Sequence, residues 1–213
     1  ALRGVFYRLR DAIRLSAFSA DRTHKKTGRQ QLVLYSEGKQ YWNVFKPIID
    51  GLEALGIASL YVTSDESDPG LGHTSALTRT RYVSPTLTAP FLNHLEAAVV
   101  VMTTPQLDVL TIRRSRKVRH YVHVVHAPTD LFTYRKFAFD HFDTVMCAGP
   151  HQIRSARYIE NKRHRPAKAL LETGLTYYDV MLKEQTVSEP RGEKKSRPVV
   201  LLAPTWKPYG ILN

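Results

Sequence analysis

The chain has a single cysteine, Cys147, in 213 residues. One cysteine cannot form an internal disulfide framework or a cysteine-rich zinc site, and it fits a reducing compartment. Long apolar runs are missing as well. No stretch reaches the roughly 18–20 apolar residues that would cross a bilayer, and none reads as a signal peptide. The glycine patterns of dinucleotide-binding and Walker-type loops are also lacking, so neither standard nucleotide fingerprint applies. Internal repeats and low-complexity tracts do not occur. Acids are scarce, with 19 Asp and Glu against 31 Lys and Arg, for a formal charge of +12. What is present is an ordinary hydrophobic share of 43%, enough for one well-buried domain with length to spare.

The basic excess is unevenly placed. Residues 1–30 carry Arg3, Arg8, Arg10, Arg14, Arg22, Lys25, Lys26 and Arg29 against Asp11 and Asp21, about half of the surplus. In that segment Leu2, Val5, Phe6, Leu9 and Ile13 recur at helical spacing, with Arg3, Arg8, Arg10 and Arg14 mostly off the stripe. The pattern reads either as a basic amphipathic helix on an anionic membrane surface or as a terminal helix packed on a neighbour. Residues 20–30 read as a polar linker. Further basic clusters at 113–119 and 154–168 suit nucleic acid, anionic lipid or phosphorylated substrates, and charge alone does not choose among these.

From residue 31 the pattern alternates strand and helix. Strands are expected at 32–35, 58–63, 81–84, 97–102, 121–125 and 144–148, with helices at 42–55, 91–96, 150–162 and 177–184, and Lys168–Glu172 precedes Gly174 without an assigned element. This order predicts a parallel, doubly wound sheet covered on both faces, an α/β Rossmann-like fold. Residues 187–198 are charged and hold Pro190, Gly192 and Pro198, the composition of an interdomain linker. Val199 to Ala203 then read as a buried strand with nothing downstream to cover it. The expected organisation is a basic helix and linker at 1–30, a Rossmann-like domain at 31–186, a linker at 187–198, and at 199–213 the start of a truncated second domain.

The segment richest in chemistry is 119–136. A run of β-formers delivers His126 to the point where Pro128 forces the backbone out of the sheet. Ligands in open α/β folds bind outside the carboxyl ends of the strands, so His126 stands where an imidazole can take a proton. Thr129, Arg135 and Lys136 follow it and are candidate substrate-binding residues, the latter two for an anion. A structural histidine bonded to a nearby carbonyl is the plainer alternative. His123 shares the face of the odd-numbered strand positions and reads as core or as support for the site. After the first strand, Glu37 and Gly38 open a turn that either admits a ligand close to the backbone or is an ordinary βα turn. Thr103-Thr104-Pro105 forms another polar strand end, and Gly149-Pro150 starts a helix. Cys147 reads as buried and inert.

Several pieces then fall in a telling order: the His126 loop, the segment Arg135-Lys136-Phe137-Ala138-Phe139-Asp140-His141-Phe142-Asp143, the Gly149-Pro150 helix start, Glu172-Thr173-Gly174 with Tyr178-Asp179, and Ala203-Pro204-Thr205-Trp206. Together they resemble the CDP-glycerol glycerophosphotransferase family, the primases and polymerases of teichoic-acid-type polymers. The resemblance covers roughly residues 97–210. It implies a GT-B architecture, with an amino-terminal acceptor domain facing a carboxyl-terminal domain that binds a CDP-alditol donor. It implies a peripheral enzyme at the cytoplasmic face of a bacterial membrane, working on a lipid-linked polyol-phosphate or saccharide acceptor. His126 matches the family's base for the acceptor hydroxyl, although Ala127 stands where glycine is usual and the Arg135/Lys136 pair lies further along than the family's lysine. The donor-binding residues would belong to the second domain, and the chain alone is expected to be inactive. No cofactor or metal is expected. Nucleic acid is not an expected partner, because the basic stretches lack aromatic interleaving and helix-turn-helix or zinc-finger spacing. The alternatives are a nucleotide-sugar glycosyltransferase on the same scaffold and a non-enzymatic basic module for lipid or nucleic acid.

Overall fold

The structure, a computed structural model, describes residues 30–187 and Val200. Its apolar, β-branched runs form the middle of one sheet. The strands are β1 (Gln30–Ser36), β2 (Ser59–Thr63), β3 (Thr78–Tyr82), β4 (Ala97–Met102), β5 (Val118–Val124), β6 (Thr144–Cys147) and β7 (Ala169–Glu172). They lie in the order β3-β2-β1-β4-β5-β6-β7, and every neighbouring pair is parallel. A strand covered on both faces needs no alternation, and Val99, Val100 and Val101 in β4 are all at most 2% exposed.

Four helices supply the cover: α1 (Trp42–Ala54), α2 (Pro85–His94), α3 (Pro150–Lys162) and α4 (Thr176–Val187). The spacing of Val44, Phe45, Ile48, Ile49 and Leu52 puts one stripe of α1 against Leu32, Leu34, Val99, Val101, Val122 and Val124. Full burial of such a side chain is worth roughly 1.5–3 kcal/mol, so this stripe rather than local propensity holds the helix in place. α4 lies against α1, where the Thr176 hydroxyl donates to the Val44 carbonyl at 2.8 Å. On the opposite face Leu92 of α2 and Ile153, Ala156 and Ile159 of α3 pack with Val33, Tyr35, Val100 and Val145. The α/β Rossmann-like sheet covered on both faces is therefore present.

Some boundaries differ from those the sequence predicts. β3 is Thr78–Tyr82 rather than 81–84, because an edge strand alternates buried Thr78 with exposed Arg79 and Arg81 and carries little apolar signal. α2 is Pro85–His94 rather than 91–96, since Pro85 at the first helical position sets the start. β1 begins at Gln30, within the stretch read as linker. The expected amphipathic helix with Arg3, Arg8, Arg10 and Arg14 lies outside the described residues. So do the 188–198 part of the expected linker and, apart from Val200, the expected strand at 199–203; Val200 itself is 78% exposed and belongs to no strand.

The strand order reverses next to β1. From β1 the chain moves outward through β2 to β3, then returns to β4 on the other side of β1. Loops leaving the carboxyl ends of β1 and β4 diverge there and leave a crevice, the usual ligand position in open α/β sheets. Those loops open with Ser36-Glu37-Gly38 and Thr103-Thr104-Pro105.

Candidate active site

An open cavity of about 440 Å³ occupies this crevice. Glu37 comes to it from the end of β1, Thr104 and Gln106 from the loop after β4, and Tyr134 and Arg135 from the loop after β5. Leu110 and Ile112 close its apolar side. A carboxylate and a guanidinium thus face one hollow, with neutral hydroxyl and amide groups between them.

His126 borders the crevice, two residues past the end of β5. Its ring is half-buried and meets Tyr41 edge-on at 4.8 Å and Tyr134 at 6.5 Å between centroids. Tyr41 in turn donates its hydroxyl to Glu37 Oε1 at 3.2 Å. Burial holds the His126 imidazole below its ordinary value of 6.5, with the Glu37 carboxylate pulling the other way. The ring is therefore neutral at pH 7 and able to accept a proton. Burial likewise pushes the Tyr134 phenol up to about 12 and raises that of Tyr41, so both remain hydrogen-bond donors at neutral pH.

Beneath the crevice lies a group of buried polar atoms without protein partners. These are Thr103 Oγ1, Thr104 Oγ1, His126 Nδ1, Tyr134 OH and both ring nitrogens of His123. Buried polar atoms are nearly always paired, so their concentration at the carboxyl ends of two adjacent central strands makes this a candidate site. His123 is fully buried, as the odd-position periodicity predicts, and Phe139, Phe142 and Tyr134 surround it edge-on. Burial foremost, with His126 adding to it, lowers its pKa to about 3, and the backbone of Thr104 approaches the ring without reaching hydrogen-bond geometry.

The two loops that wall the crevice are held in unusual backbone conformations. Gln106, Asp108 and Phe137 all have φ near +60°, where side chains other than glycine, asparagine and aspartate are rare. Such backbone concentrates at functional sites because the surroundings must hold it there. The holding contacts are visible: Gln106 N donates to the Ala138 carbonyl at 2.8 Å and its side-chain amide to the Lys136 carbonyl at 3.3 Å. One loop is thereby tied to the other across the crevice.

No family model, curated protein or solved structure matches this chain.

Of the residues expected from sequence, the fold gathers Glu37 and Arg135 in one cavity; His126 is not in its lining but meets Tyr134, which is. Gly38 is buried with extended backbone that any residue adopts, and a Cβ there would meet the flexible Gln40 side chain at 2.5 Å. Lys136 and Thr129 are exposed and neither lines the crevice, although the Thr129 hydroxyl accepts at 3.4 Å from that of Thr133, which does. The Thr129 carbonyl is taken by the side-chain amide of Gln152 at 2.8 Å, and the same amide donates to the Ala127 carbonyl at 2.9 Å. The Gln152 carbonyl accepts from Ala148 N at 2.6 Å, and His151 Nε2 bonds the Pro128 carbonyl at 2.9 Å. The first turn of α3 thus fixes the backbone immediately after His126. Gln152, fully buried, and Tyr41 are functional candidates that sequence reading misses. A polar residue on the inner face of a helix was the one signal for Gln152.

Among the described residues no group of three or more His, Cys, Asp or Glu side chains is placed to hold a metal ion. No described helix is long and apolar enough to cross a membrane. Cys147 is fully buried and its thiol is pushed up to about 11 by burial, in keeping with an inert core residue.

Proposed function

We propose that this domain is the acceptor side of a transferase that moves an alditol phosphate, glycerol phosphate or a close relative, from a CDP-alditol to a hydroxyl of a membrane-linked polymer or glycolipid. The observation that carries the reading is a neutral, half-buried His126 at a strand end beside the switch-point crevice. The resemblance to CDP-glycerol glycerophosphotransferases supports it from the sequence side.

In this reading the acceptor hydroxyl lies against His126, which takes its proton as the oxygen attacks the β-phosphorus of the donor. The bond between that phosphorus and the bridging oxygen breaks, and CMP leaves with the electron pair. A phosphodiester remains. Arg135 offsets phosphate charge at one end of the crevice, while Glu37 and the Tyr41 and Tyr134 hydroxyls orient the acceptor at the other. Positioning and charge stabilisation supply the catalysis, as is general in phosphoryl transfer. The donor is held by a second Rossmann-like domain across a GT-B cleft. The enzyme works peripherally at the cytoplasmic face of the membrane, with Arg3, Arg8, Arg10 and Arg14 on the anionic lipid surface.

The test is a donor panel on the full-length protein with a polyol-terminated acceptor. CDP-glycerol or CDP-ribitol should yield acceptor-dependent CMP and a product gaining one alditol phosphate by mass spectrometry. Transfer from UDP- or GDP-sugars with the CDP-alditols inert would replace this reading by a glycosyltransferase.

A further inference from the structure

The ladder between β5 and β6 ends where the Val125 amide donates to the Met146 carbonyl at 3.2 Å. Past that bond the two chains part. Pro128 leads one out of the sheet, and Gly149-Pro150 turns the other into α3. Strands that splay lose their partners across the ladder, and a buried backbone group left unpaired is costly. We propose that Gln152 is a positioning residue, whose side-chain amide takes the place of the lost ladder bonds and thereby fixes where His126 sits. That role rests on the reading of His126 as the acceptor base.

The Gln152 side chain is fully buried between the two parting chains. Its Nε2 donates to the Ala127 and Thr129 carbonyls at 2.9 and 2.8 Å, on the chain that leaves β5. Its Oε1 accepts from the Ala148 amide at 2.6 Å, on the chain that leaves β6. One planar group with two donors and an acceptor therefore joins both sides of the split. Few side chains can do this. Ionised glutamate has no donor for the two carbonyls, methionine fills the volume and bonds neither chain, and asparagine is one methylene shorter.

Two neighbours on α3 extend the hold. His151 Nε2 donates to the Pro128 carbonyl at 2.9 Å, and Ser155 donates its hydroxyl to Asp130 Oδ1. Each of residues 127–130 is thus tied to α3, and His126 is the residue just before the tied segment. A general base is ordinarily oriented by a hydrogen bond at its second nitrogen. His126 Nδ1 is buried with no protein partner, so the ring takes its orientation from the edges of Tyr41 and Tyr134 and from the backbone that carries it. Gln152 fixes that backbone. It acts through the loop and does not touch the substrate.

The test pairs transfer kinetics with imidazole NMR on the full-length protein, using CDP-glycerol and a polyol-terminated acceptor. Gln152→Met should lower kcat about 10–100-fold and change the acceptor KM by less than about twofold, the signature of a misplaced base. In the same variant the His126 pKa should rise toward 6.5, because a loosened loop admits water to the ring. The Glu37 carboxylate, which acts on that ring from the loop after β1, is left in place. Thr176→Val removes a buried 2.8 Å bond between α4 and α1 and should lower the melting temperature while moving neither readout. His151→Ala, at the exposed first turn of α3, should shift both in the same direction by a smaller amount. It carries the comparison if Gln152→Met does not fold. Unchanged His126 resonances in these α3 variants, a rise in KM with kcat intact, or an equal shift in Thr176→Val would each overturn the role. The NMR readout needs no turnover. Full transfer by His126→Asn would therefore remove the base reading, whereas an inactive His126→Asn beside unmoved resonances in Gln152→Met would remove the Gln152 role alone.

Discussion

Substituting His126 by Asn in the full-length protein is expected to lower transfer by about 10²–10⁴-fold, the usual contribution of a positioned general base. The fold should survive, because the ring is half-buried and its Nδ1 has no protein partner to strand. Circular dichroism and thermal melting on the same sample check that point. A pH profile separates a base from a merely structural ring. As the proposed base His126 would act only when neutral, and burial lowers its pKa from 6.5, so activity should fall on the acid side of that value. Glu37 favours the imidazolium, so Glu37→Gln should move this acid limb to still lower pH. The limb should vanish from the residual activity of His126→Asn. An unchanged rate in that variant, or an acid limb indifferent to both substitutions, would remove His126 from the chemistry.

The second large effect concerns stability. The unfolded chain protonates His123 below about pH 6.5, whereas the native protein, with the ring caged by Phe139, Phe142 and Tyr134, resists protonation down to about pH 3. Between those values the unfolded state binds the extra proton, so stability is complete above pH 6.5 and declines as the pH falls through the window. From pH 7 to pH 5 the loss from this one group is about 2 kcal/mol, and it approaches about 4–5 kcal/mol near pH 3. For carboxylates such as Glu53, where burial pulls upward but hydrogen bonds to His73 and neighbouring hydroxyls hold the group down to about 2, stability is lost below about pH 4.5, so they contribute little between pH 7 and pH 5. Urea unfolding at pH 7 and pH 5 measures the effect. His123→Leu should be near neutral or stabilising at pH 7, since no hydrogen bond is lost, and its stability should fall about 2 kcal/mol less than the parent's between the two. Parallel pH dependence in the two proteins would mean that His123 is solvated or paired in the native state.

The buried histidine also shows how far sequence pattern reaches. Period-two alternation placed His123 on the face of Tyr121 and Val125 and left His126 at the strand end, and the structure has both there. The stripe on α1 and the continuous valines of β4 were equally plain, because both are dictated by burial against a sheet. The pattern failed where solvent competes with the core. β3 alternates threonine with arginine, so nothing apolar announces it. Loop geometry was the other gap. Thr129 and Lys136 follow His126 closely in the chain, yet the backbone between them is directed by Gln152 and Gln106, residues from other elements. The left-handed backbone at Gln106, Asp108 and Phe137 carries no glycine to advertise it. Tyr41 carries no motif or spacing of its own, and only the fold sets it between Glu37 and His126.

These pieces converge on one claim, that the switch-point crevice receives a hydroxylated, phosphate-bearing acceptor at a neutral His126. Imidazole NMR of the full-length chain tests it most directly, with His126→Gln used to assign the signals. Titrating in a glycerol-phosphate-terminated acceptor analogue should move the His126 resonances saturably, and their pH titration should give a pKa below 6.5 in the free protein. His126 signals that stay fixed at saturating analogue, or that titrate above 6.5, would contradict the account.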